Sequence, residues 1–590
     1  MRWTKPWRHV LGILLVAGGM IGCGADSTSD ASSAETTMPT SRQASSTEAE
    51  EANAETSPPS SASAGDSAPR FFDITDTTGV QWIHNSGAFG ERWLPETMGP
   101  GVLIFDADGD ERLDLLFING SGFEGEVGES TSSALFLNRG DFQFEDVEER
   151  AGFPPGAYCL GGAAADVDGD GDRDVVFACL GGERLFLNDG QGRFRDATDS
   201  SGFESDRGSF GSSVAFFDAD HDGWIDLYVG RYVRWTPEED QFCSLFGDSK
   251  SYCTPGVYAA DPDHFYRNRG DGTFEDATES SGLFNTVGMT LGVMPLDLDR
   301  DGWTDLAIAC DTTPNYVYRN LGDGTFEEIG QELGFAYTLA GETQGSMGVQ
   351  AADYQGDGFP DLVVTNFEGE MVGLLDNRQG AFLLERGVTS EVGRKTVDTV
   401  GWGTFFFDFD LDGRKDLLVA NGHLDSLADS EGQGAPYAQP QQLFTGTEED
   451  LVEVTSSIGG DLANPLVGRG AAYGDLDGDG DLDVVIMTNG GPARLFENRG
   501  SRGSYLTVAV AGLRGAADGL DAEMEIVAQG RRQIAHVRAG GSYLSQSQVE
   551  VTFGLGDAEA VESLRVRWPT GEVVERSNLP VDQRLRIEAP

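Results

Sequence analysis

One acidic segment occurs seven times in this sequence, and that repetition constrains the fold more than any other feature. Each copy follows the pattern D-x-D-x-D-G-x-x-D or a close variant, as in DVDGDGDRD from Asp166 to Asp174. The copies start 52 to 79 residues apart. Recurrence at such a period predicts an array of similar units that pack side by side, with loops of variable length between them.

A second pattern recurs between the acidic segments and predicts a β-hairpin. It appears as LFLNDGQGRFRDAT at 185–198 and FYRNRGDGTFEDAT at 265–278, with similar runs near 136, 317 and 494. Short apolar runs on both sides of an Asn/Gly/Asp turn are typical of two antiparallel strands. Each repeat therefore supplies about four short strands, and the sequence predicts an all-β fold, a seven-bladed β-propeller over residues 70–500.

The two ends of the array predict how the ring closes. The seventh repeat lacks the strand that follows the hairpin turn in the other repeats, whereas FFDIT at 71–75 precedes the first acidic segment without a repeat of its own. We expect this N-terminal strand to complete the seventh blade. A ring closed in this way has no open sheet edges to aggregate.

The acidic segments predict metal sites. Positions one, three, five and nine place carboxylates at spacings that suit a hard cation, and a glycine at position six permits a sharp bend. Oxygen ligands in this number favour calcium over zinc or copper, so we expect Ca²⁺ at five to seven sites. The candidate ligands are Asp106, Asp108, Asp110 and Asp114; Asp166, Asp168, Asp170 and Asp174; Asp218, Asp220, Asp222 and Asp226; Asp297, Asp299, Asp301 and Asp305; Asp353, Asp357 and Asp361; Asp408, Asp410, Asp412 and Asp416; and Asp475, Asp477, Asp479 and Asp483.

Two loops depart from the pattern, and the loops are not EF-hands. The fifth has Gln355 at position three, and the first has Glu111 where glycine is expected. Position twelve, which is a bidentate glutamate in an EF-hand, is Phe117 in the first loop. The alternatives are solvated acidic hairpins that bind no metal, or calcium with a purely structural role; we take the structural role as the leading interpretation.

The N-terminus predicts export. Arg2, Lys5 and Arg8 precede an apolar stretch at 10–21 that is short for a membrane span, and MIGC at 20–23 is similar to a lipobox. We expect residues 1–23 to be a lipoprotein signal peptide with lipid on Cys23, and 24–69 to be a disordered Ser/Thr/Ala/Glu/Pro-rich tether. The expected location is the outer membrane or cell surface, with the membrane as a partner through the lipid. A secreted or periplasmic protein is the alternative.

The six cysteines suit an oxidising compartment. With Cys23 lipidated, five remain and one must stay unpaired. We expect a disulfide between Cys243 and Cys253, which lie in one insertion, and as a second choice one between Cys159 and Cys179. Cys310 would then be a buried thiol.

Net charge excludes one class of partner. The chain has 40 basic and 99 acidic side chains and a formal charge of −59, so nucleic acid would be repelled. Residues 501–590 differ, with ten arginines, no lysine and twelve acidic residues. Alternating apolar positions there predict a small all-β domain.

Further segments carry a resemblance to a known family. They are WLPETMGPG at 93–101, DTTPN at 311–315, TNF at 365–367 and NGH at 421–423, and in the tail GGSYLSQS at 540–547, FGLG at 553–556 and VRWPTG at 566–571. With the acidic repeats, they resemble the FG-GAP/VCBS repeats of integrin α-chain propellers and, more closely, bacterial cartilage-acidic-protein-like proteins with a C-terminal ASPIC/UnbV domain at 501–590. The resemblance implies an integrin α-like propeller and surface or matrix binding, but no reaction. Asp521 stands where that domain usually has glycine.

The choice between enzyme and binding module rests on the loops. The sequence has no G-x-S-x-G, H-E-x-x-H or Walker pattern. Two insertions, 231–264 and 423–442, are rich in aromatic and polar residues, and loops on a rigid scaffold often carry recognition. The candidate ligand-binding residues are Trp235, Tyr252, Tyr258, His423 and Tyr437.

These observations favour a calcium-binding lipoprotein of the cell surface or periplasm that acts as an adhesion or ligand-binding module, with a protein or glycan as its ligand. The alternative is a calcium-stabilised propeller hydrolase or lyase that acts on extracellular polysaccharide, for which His423 is the residue to test. The aromatic residues of the insertions have an alternative interpretation of their own, which is that they pack the insertions onto the ring.

Overall fold

Each acidic segment forms the loop between the first two strands of a four-stranded antiparallel sheet. The computed structural model describes residues 70–123, 130–244, 249–426, 435–500, 503–512 and 519–590, and all of these belong to one compact unit. Within these ranges, residues 71–498 form seven such sheets. Their strands, sheet by sheet, are β2 (Val102–Phe105), β3 (Asp114–Phe117), β4 (Ala134–Asn138) and β5 (Phe144–Asp146); β6 (Cys159–Ala165), β7 (Asp174–Cys179), β8 (Gly182–Asn188) and β9 (Phe194–Asp196); β10 (Gly211–Phe217), β11 (Asp226–Arg231), β12 (His264–Asn268) and β13 (Phe274–Asp276); β14 (Thr290–Leu296), β15 (Asp305–Cys310), β16 (Tyr316–Asn320) and β17 (Phe326–Glu328); β18 (Val349–Ala352), β19 (Asp361–Val364), β20 (Gly373–Asn377) and β21 (Leu383–Glu385); β22 (Gly401–Phe407), β23 (Asp416–Asn421), β24 (Gln442–Gly446) and β25 (Leu451–Glu453); and β26 (Gly468–Gly474), β27 (Asp483–Thr488), β28 (Arg494–Asn498) and β1 (Phe71–Asp73).

The seven sheets form a closed ring. The first strand of each sheet contacts the first strand of the next, and β26 contacts β2 to complete the circle. The N-terminal strand β1 pairs with β28, with Phe71 opposite Asn498 and Asp73 opposite Phe496. The prediction that this strand completes the seventh sheet is therefore confirmed.

Burial changes systematically from the inner to the outer strand of a sheet. Five of the seven inner strands are buried along their whole length, while β18 and β26 contain two and one half-buried residues, respectively. Side chains of adjacent sheets, such as Leu103 and Phe177, share one core. The outer strands have only three residues, as in β5, where Phe144 is buried and the next two residues are exposed. This pattern places the apolar cores between neighbouring sheets and the hydrophilic edge on the rim of the ring.

Helical segments are short and lie after the outer strands. Among the described residues, no helix has the length and apolar character needed to cross a bilayer. The helices are α1 (Glu148–Ala151), α2 (Thr198–Ser201), α3 (Gly330–Leu333), α4 (Glu391–Thr396) and α5 (Thr455–Ile458), with 3₁₀ turns at Thr75–Thr77, Leu94–Thr97, Pro237–Glu239, Pro255–Val257 and Gly460–Ala463.

A buried asparagine at the end of the third strand links each sheet to the one before it. In the second sheet, the Asn188 amide N–H donates to Asp174 Oδ1 (2.8 Å), the ninth residue of the acidic loop. The Asn188 side-chain amide donates to the carbonyl of Arg173 in the same loop (3.1 Å) and to that of Ala107 in the first loop (3.0 Å). The same three contacts recur at Asn138, Asn268, Asn320 and Asn377.

Two sheets vary this asparagine link. Asn498 of the seventh sheet donates to Asp483 and to the Phe409 carbonyl of the sixth loop (2.8 Å). In the sixth sheet the position is Gly446, whose backbone N–H still donates to Asp416 (2.8 Å) but which has no side chain to reach the fifth sheet. The asparagine of the repeated hairpin motif is therefore part of the inter-sheet contact as well as of a turn.

The C-terminal residues form two further sheets. One has the order β31-β30-β33-β34, and the other, β32-β29-β35, contains the parallel pair β29 and β35. The strands are β29 (Ser504–Ala511), β30 (Glu523–Ala528), β31 (Arg531–His536), β32 (Val551–Gly556), β33 (Ala560–Arg567), β34 (Val573–Pro580) and β35 (Gln583–Glu588). The all-β character expected for this region is present.

A loop of this C-terminal domain, residues 539–548, fills the centre of the ring. Its backbone pairs with inner strands: Gln546 N donates to the Val102 carbonyl (2.9 Å), and Ser542 exchanges two hydrogen bonds with Val349 (2.8 and 3.1 Å). The loop contacts all seven sheets, through Val102, Ala164, Phe216, Met294, Val349, Thr404 and Tyr473. The approach is close, since a Cβ on Gly101 would lie 1.9 Å from the Leu544 carbonyl oxygen. The tail is thus inserted into the propeller rather than appended to it.

The asparagine link predicts the effect of its removal. Asn188→Ala should lower the free energy of unfolding by about 2–3 kcal/mol, because two buried carbonyl groups lose their donor. Denaturant unfolding of the whole chain measures the change. Asn464→Ala, at an exposed asparagine that bonds only locally to Asp461, is the control and should change stability by less than about 0.5 kcal/mol. Equal effects of the two substitutions would contradict the proposed link.

Candidate metal sites and the two faces of the ring

The aspartate at position one organises each acidic loop. In the second loop, Asp166 Oδ1 accepts the Gly169 N–H (2.7 Å), and Oδ2 accepts the Gly171 N–H (3.0 Å). Gly171 is at position six with φ of 97°, in the region that favours glycine. The loop is therefore wrapped around one carboxylate, and the seventh loop repeats the arrangement around Asp475.

The aspartate at position nine is buried and joins the loop to the sheet. Asp174 is fully buried; its Oδ2 accepts the Val167 N–H (3.1 Å), and its Oδ1 accepts the Asn188 N–H (2.8 Å). The position-five aspartate instead closes the loop locally, as when Asp170 Oδ1 accepts the Asp172 N–H (3.0 Å).

Folding brings subsets of the candidate ligands together. Carboxylate oxygens of positions one, three and nine lie within 4.8 Å of one another in at least four of the described loops, and those of positions one, three and five do so in the third loop. These groups are Asp106, Asp108 and Asp114; Asp166, Asp168 and Asp174; Asp218, Asp220 and Asp222; Asp297, Asp299 and Asp305; and Asp408, Asp410 and Asp416. The fifth loop has a glutamine at position three. The side-chain amide of Gln355 donates a long hydrogen bond to the Tyr354 hydroxyl (3.4 Å).

The chemistry of these groups fits a hard divalent cation. Asp108 Oδ1, Asp297 Oδ1 and Asp361 Oδ2 are buried and have no hydrogen-bond partner among the described residues. Burial, with smaller effects of neighbouring carboxylates, raises the pKa of Asp114, Asp174 and Asp361 to about 8. Clustered carboxylates in this condition hold either protons or a cation. Several of the aspartate groups are thus compatible with calcium.

The C-terminal domain lies against the acidic face, which is the side of the ring that carries the seven loops. The Asp521 carboxylate, for example, accepts the Asp218 N–H (2.8 Å), and Arg300 pairs with Glu523 (2.9 Å). Every loop has such a neighbour: Glu111 with Arg584, Arg173 with Glu550, Asp218 with Asp521, Arg300 with Glu523, Gly358 with Arg532, Asp412 with Arg531, and Asp475 with Gln548. Five of the seven contacts involve an arginine, and two of these, Arg173 with Glu550 and Arg300 with Glu523, are ion pairs across the interface.

Asp521 explains one departure noted in the sequence. It has φ of 64°, a left-handed conformation that glycine adopts readily. Its carboxylate compensates by bonding to the third loop, and burial raises its pKa to about 6.

The insertion at 231–264 packs on the opposite face through Trp235, which is a correction to its assignment as a ligand-binding residue. Trp235 is 2% exposed and meets the rings of Trp93 and Phe123 edge-on, each with centroids 5.5 Å apart. Its Nε1–H donates to Asp240 (3.1 Å). The interpretation that Trp235 packs the insertion onto the ring is the one that the structure bears out.

The other aromatic candidates are half-buried. Tyr252 donates to Glu96 Oε2 (3.0 Å), and Tyr258 donates to Asp240 Oδ1 (3.0 Å). Tyr437 is half-buried in the second insertion, where its carbonyl accepts the His423 N–H (2.9 Å). Sequence reasoning missed Phe242, which is 71% exposed and is the most accessible ring among the described residues of the first insertion. The signal in the sequence was that Phe242 directly precedes Cys243, within the insertion.

His423 is buried with both ring nitrogens near other groups. Its Nδ1 accepts the Asp425 N–H (3.1 Å), and its Nε2 lies 3.6 Å from Glu368 Oε2. Cys243 is bonded to Cys253 within the first insertion, and Cys159 is bonded to Cys179 across β6 and β7. Cys310 is buried and free. Cys23 and the tether lie outside the described residues.

Comparison with known proteins agrees with this architecture. A family profile described as FG-GAP-like repeat matches residues 106–177, 166–229, 254–308 and 297–364, and one described as ASPIC and UnbV matches 512–590. Cartilage acidic protein 1 of Xenopus tropicalis is 28% identical over 286 residues, which are 46% of this chain and 40% of that protein. Cartilage acidic protein 1 of Homo sapiens is 25% identical over 329 residues, or 54% of this chain and 46% of that protein. The chain thus spans less than half the length of these relatives.

Among solved structures, one described as the Dos1 propeller has a TM-score of 0.37 and 11% identity, and the match covers 72% of this chain and 98% of that one.

Proposed function

We propose that this chain, which carries FG-GAP-like repeats and a C-terminal ASPIC and UnbV domain, is an exported, calcium-stabilised module that binds a protein or glycan. One observation carries the proposal: the C-terminal domain contacts all seven acidic loops and fills the ring, so that side is committed to intramolecular packing. The acidic loops join first to second strands, whereas both insertions join second to third strands. In antiparallel sheets these connections lie at opposite ends. The insertions therefore lie on the free face, which is the side of the ring that the C-terminal domain does not cover.

Calcium would have a structural role in this proposal. The groups formed by positions one, three and nine would hold it, and it would supply positive charge to buried carboxylates. Because position nine also anchors the asparagine link, a cation there would stabilise contacts between sheets. Occupancy of five to seven loops is part of the proposal.

Removal of calcium should destabilise the protein strongly. At ten times the dissociation constant, linkage gives about 1.4 kcal/mol per site, or roughly 7–10 kcal/mol for five to seven sites. Thermal unfolding with calcium and then with excess chelator measures the difference, and readdition of calcium should restore it. An unchanged melting temperature in chelator would refute a stabilising role.

The proposal places the protein on a membrane surface through lipid on Cys23. The two disulfides support an oxidising compartment. Cys23→Ala should release the mature protein from membranes or leave an uncleaved precursor, and fractionation with mass spectrometry of the N-terminus measures both. Membrane association that persists in this variant, together with a wild-type N-terminus free of lipid, would contradict anchoring.

Recognition should depend on accessible aromatic residues of the insertions rather than on Trp235. In a panel of glycans and matrix proteins tested with calcium, Phe242→Ser and Tyr437→Ala should weaken binding at least about tenfold without lowering the melting temperature. Trp235→Ala should lower the free energy of unfolding by about 3–5 kcal/mol, because its ring is buried.

Phe382→Ser is the matched control, since Phe382 is 49% exposed in the hairpin between β20 and β21, away from the insertions. If the Phe242→Ser and Tyr437→Ala variants bind as tightly as the wild type, the proposed recognition surface is wrong. Turnover of a polysaccharide in the same panel, abolished by His423→Ala in a folded protein, would favour the enzyme instead.

A further inference from the structure

Arginine side chains reach into three of the acidic loops and pair with the aspartate at position three. Arg139 Nη1 lies 3.0 Å from Asp108 Oδ2 in the first loop, and Arg319 Nε lies 3.4 Å from Asp299 Oδ2 in the fourth. Arg267 pairs with Asp220 in the third loop. Arg267 and Arg319 immediately precede the linking asparagine of their sheets, and Arg139 immediately follows it.

Two of these guanidinium groups are held in place by other contacts. Arg267 Nη2 also donates to the Gly324 carbonyl of the next sheet (2.7 Å), and its guanidinium carbon lies 5.9 Å from the centre of the Phe265 ring. Arg139 also binds Glu145 through two nitrogens (2.7 and 2.9 Å). Arg267 and Arg139 are thus fixed in position beside their loops.

The second and seventh loops lack this feature. The residue before the linking asparagine is Leu187 in the second sheet and Glu497 in the seventh, and Glu497 pairs with Arg499 instead. Within the described part of the chain, no ion pair is formed by the position-three aspartates Asp168 and Asp477. Each accepts a loop N–H, from Asp170 (3.3 Å) and Asp479 (3.2 Å). Neither carboxylate is therefore paired with a guanidinium of the described residues, and the charge of Arg195 acts on Asp168 without an ion pair.

We propose that the loops form two classes of calcium site, which differ in whether an arginine occupies the third ligand position. This inference rests on the proposed function, in which the loops bind calcium. In the second and seventh loops calcium meets open carboxylates. In the first, third and fourth loops it must bind a position-three carboxylate that already holds a guanidinium, and then either displace that guanidinium or remain close to its positive charge. Repulsion across a few ångströms of a partly solvated site weakens binding about tenfold.

The consequence is a graded response to calcium. The second and seventh loops load first and stabilise the ring at low calcium, and the arginine-paired loops load at concentrations about tenfold higher. Loops with two affinities are therefore filled over a wider range of calcium concentrations than identical sites would be.

Calorimetric titration of the calcium-free mature chain with calcium chloride tests the proposal. The wild type should show at least two affinity classes separated by about tenfold, with the second and seventh loops in the tight class. Arg267→Gln combined with Arg319→Gln should move two sites from the weak class to the tight class. Arg269→Gln is the matched control, since Arg269 lies in the same hairpin as Arg267 but pairs with Glu275 and not with a loop (3.0 Å).

The reciprocal substitution Leu187→Arg should weaken one tight site about tenfold, and thermal unfolding in calcium verifies that each variant is folded. If the double arginine variant binds calcium as the wild type does, or loses affinity, the arginines are not competitors and the inference is overturned while calcium binding stands. If the wild type takes up no calcium, the proposed function fails and this inference fails with it.

Discussion

The buried carboxylate at position nine of each acidic loop is the group on which the rest of the architecture depends. In the second sheet, Asp174 fixes the loop through the Val167 amide and fixes the third strand through Asn188. Asn188 in turn reaches the carbonyl of Ala107 in the preceding sheet. One carboxylate therefore couples loop conformation, sheet assembly and ring closure. It also belongs to an oxygen cluster that fits calcium, so a cation bound there would stabilise the contact between sheets as well as the loop.

Repeating this unit seven times concentrates acidic groups on one face, and the C-terminal domain is built to lie there. Its ten arginines and absence of lysine suit this role, because a guanidinium makes several directed hydrogen bonds to carboxylate and carbonyl oxygens. Arg531 and Arg584, for example, donate to loop carbonyls of Asp412 and Glu111. The loop at 539–548 adds backbone pairing to the inner strands, so the domain contributes to the propeller core and not only to its surface.

The same arrangement separates a covered face of the ring from a free one. The C-terminal domain covers the acidic face and fills the centre of the ring, while the free face carries the two insertions. There, buried Trp235 and the Cys243–Cys253 bond give the first insertion a fixed base, and Phe242 projects from it. A rigid base beneath an exposed ring lowers the entropy lost on binding, which is the physical basis for proposing recognition at this face.

Local patterns in the sequence determined the repeat, the strands, the acidic loops and the closing strand, because apolar runs, hairpin turns and Asp spacing depend on residues close in sequence. They also indicated the two disulfides. The tertiary structure alone decided which carboxylates meet, that Trp235 is buried, and that Arg267 pairs with Asp220. It alone showed that Gln546 accepts a hydrogen bond from Ala164, which lies 382 residues away in the sequence. Such contacts follow from the closure of the ring, which brings distant residues together through geometry that no local pattern encodes.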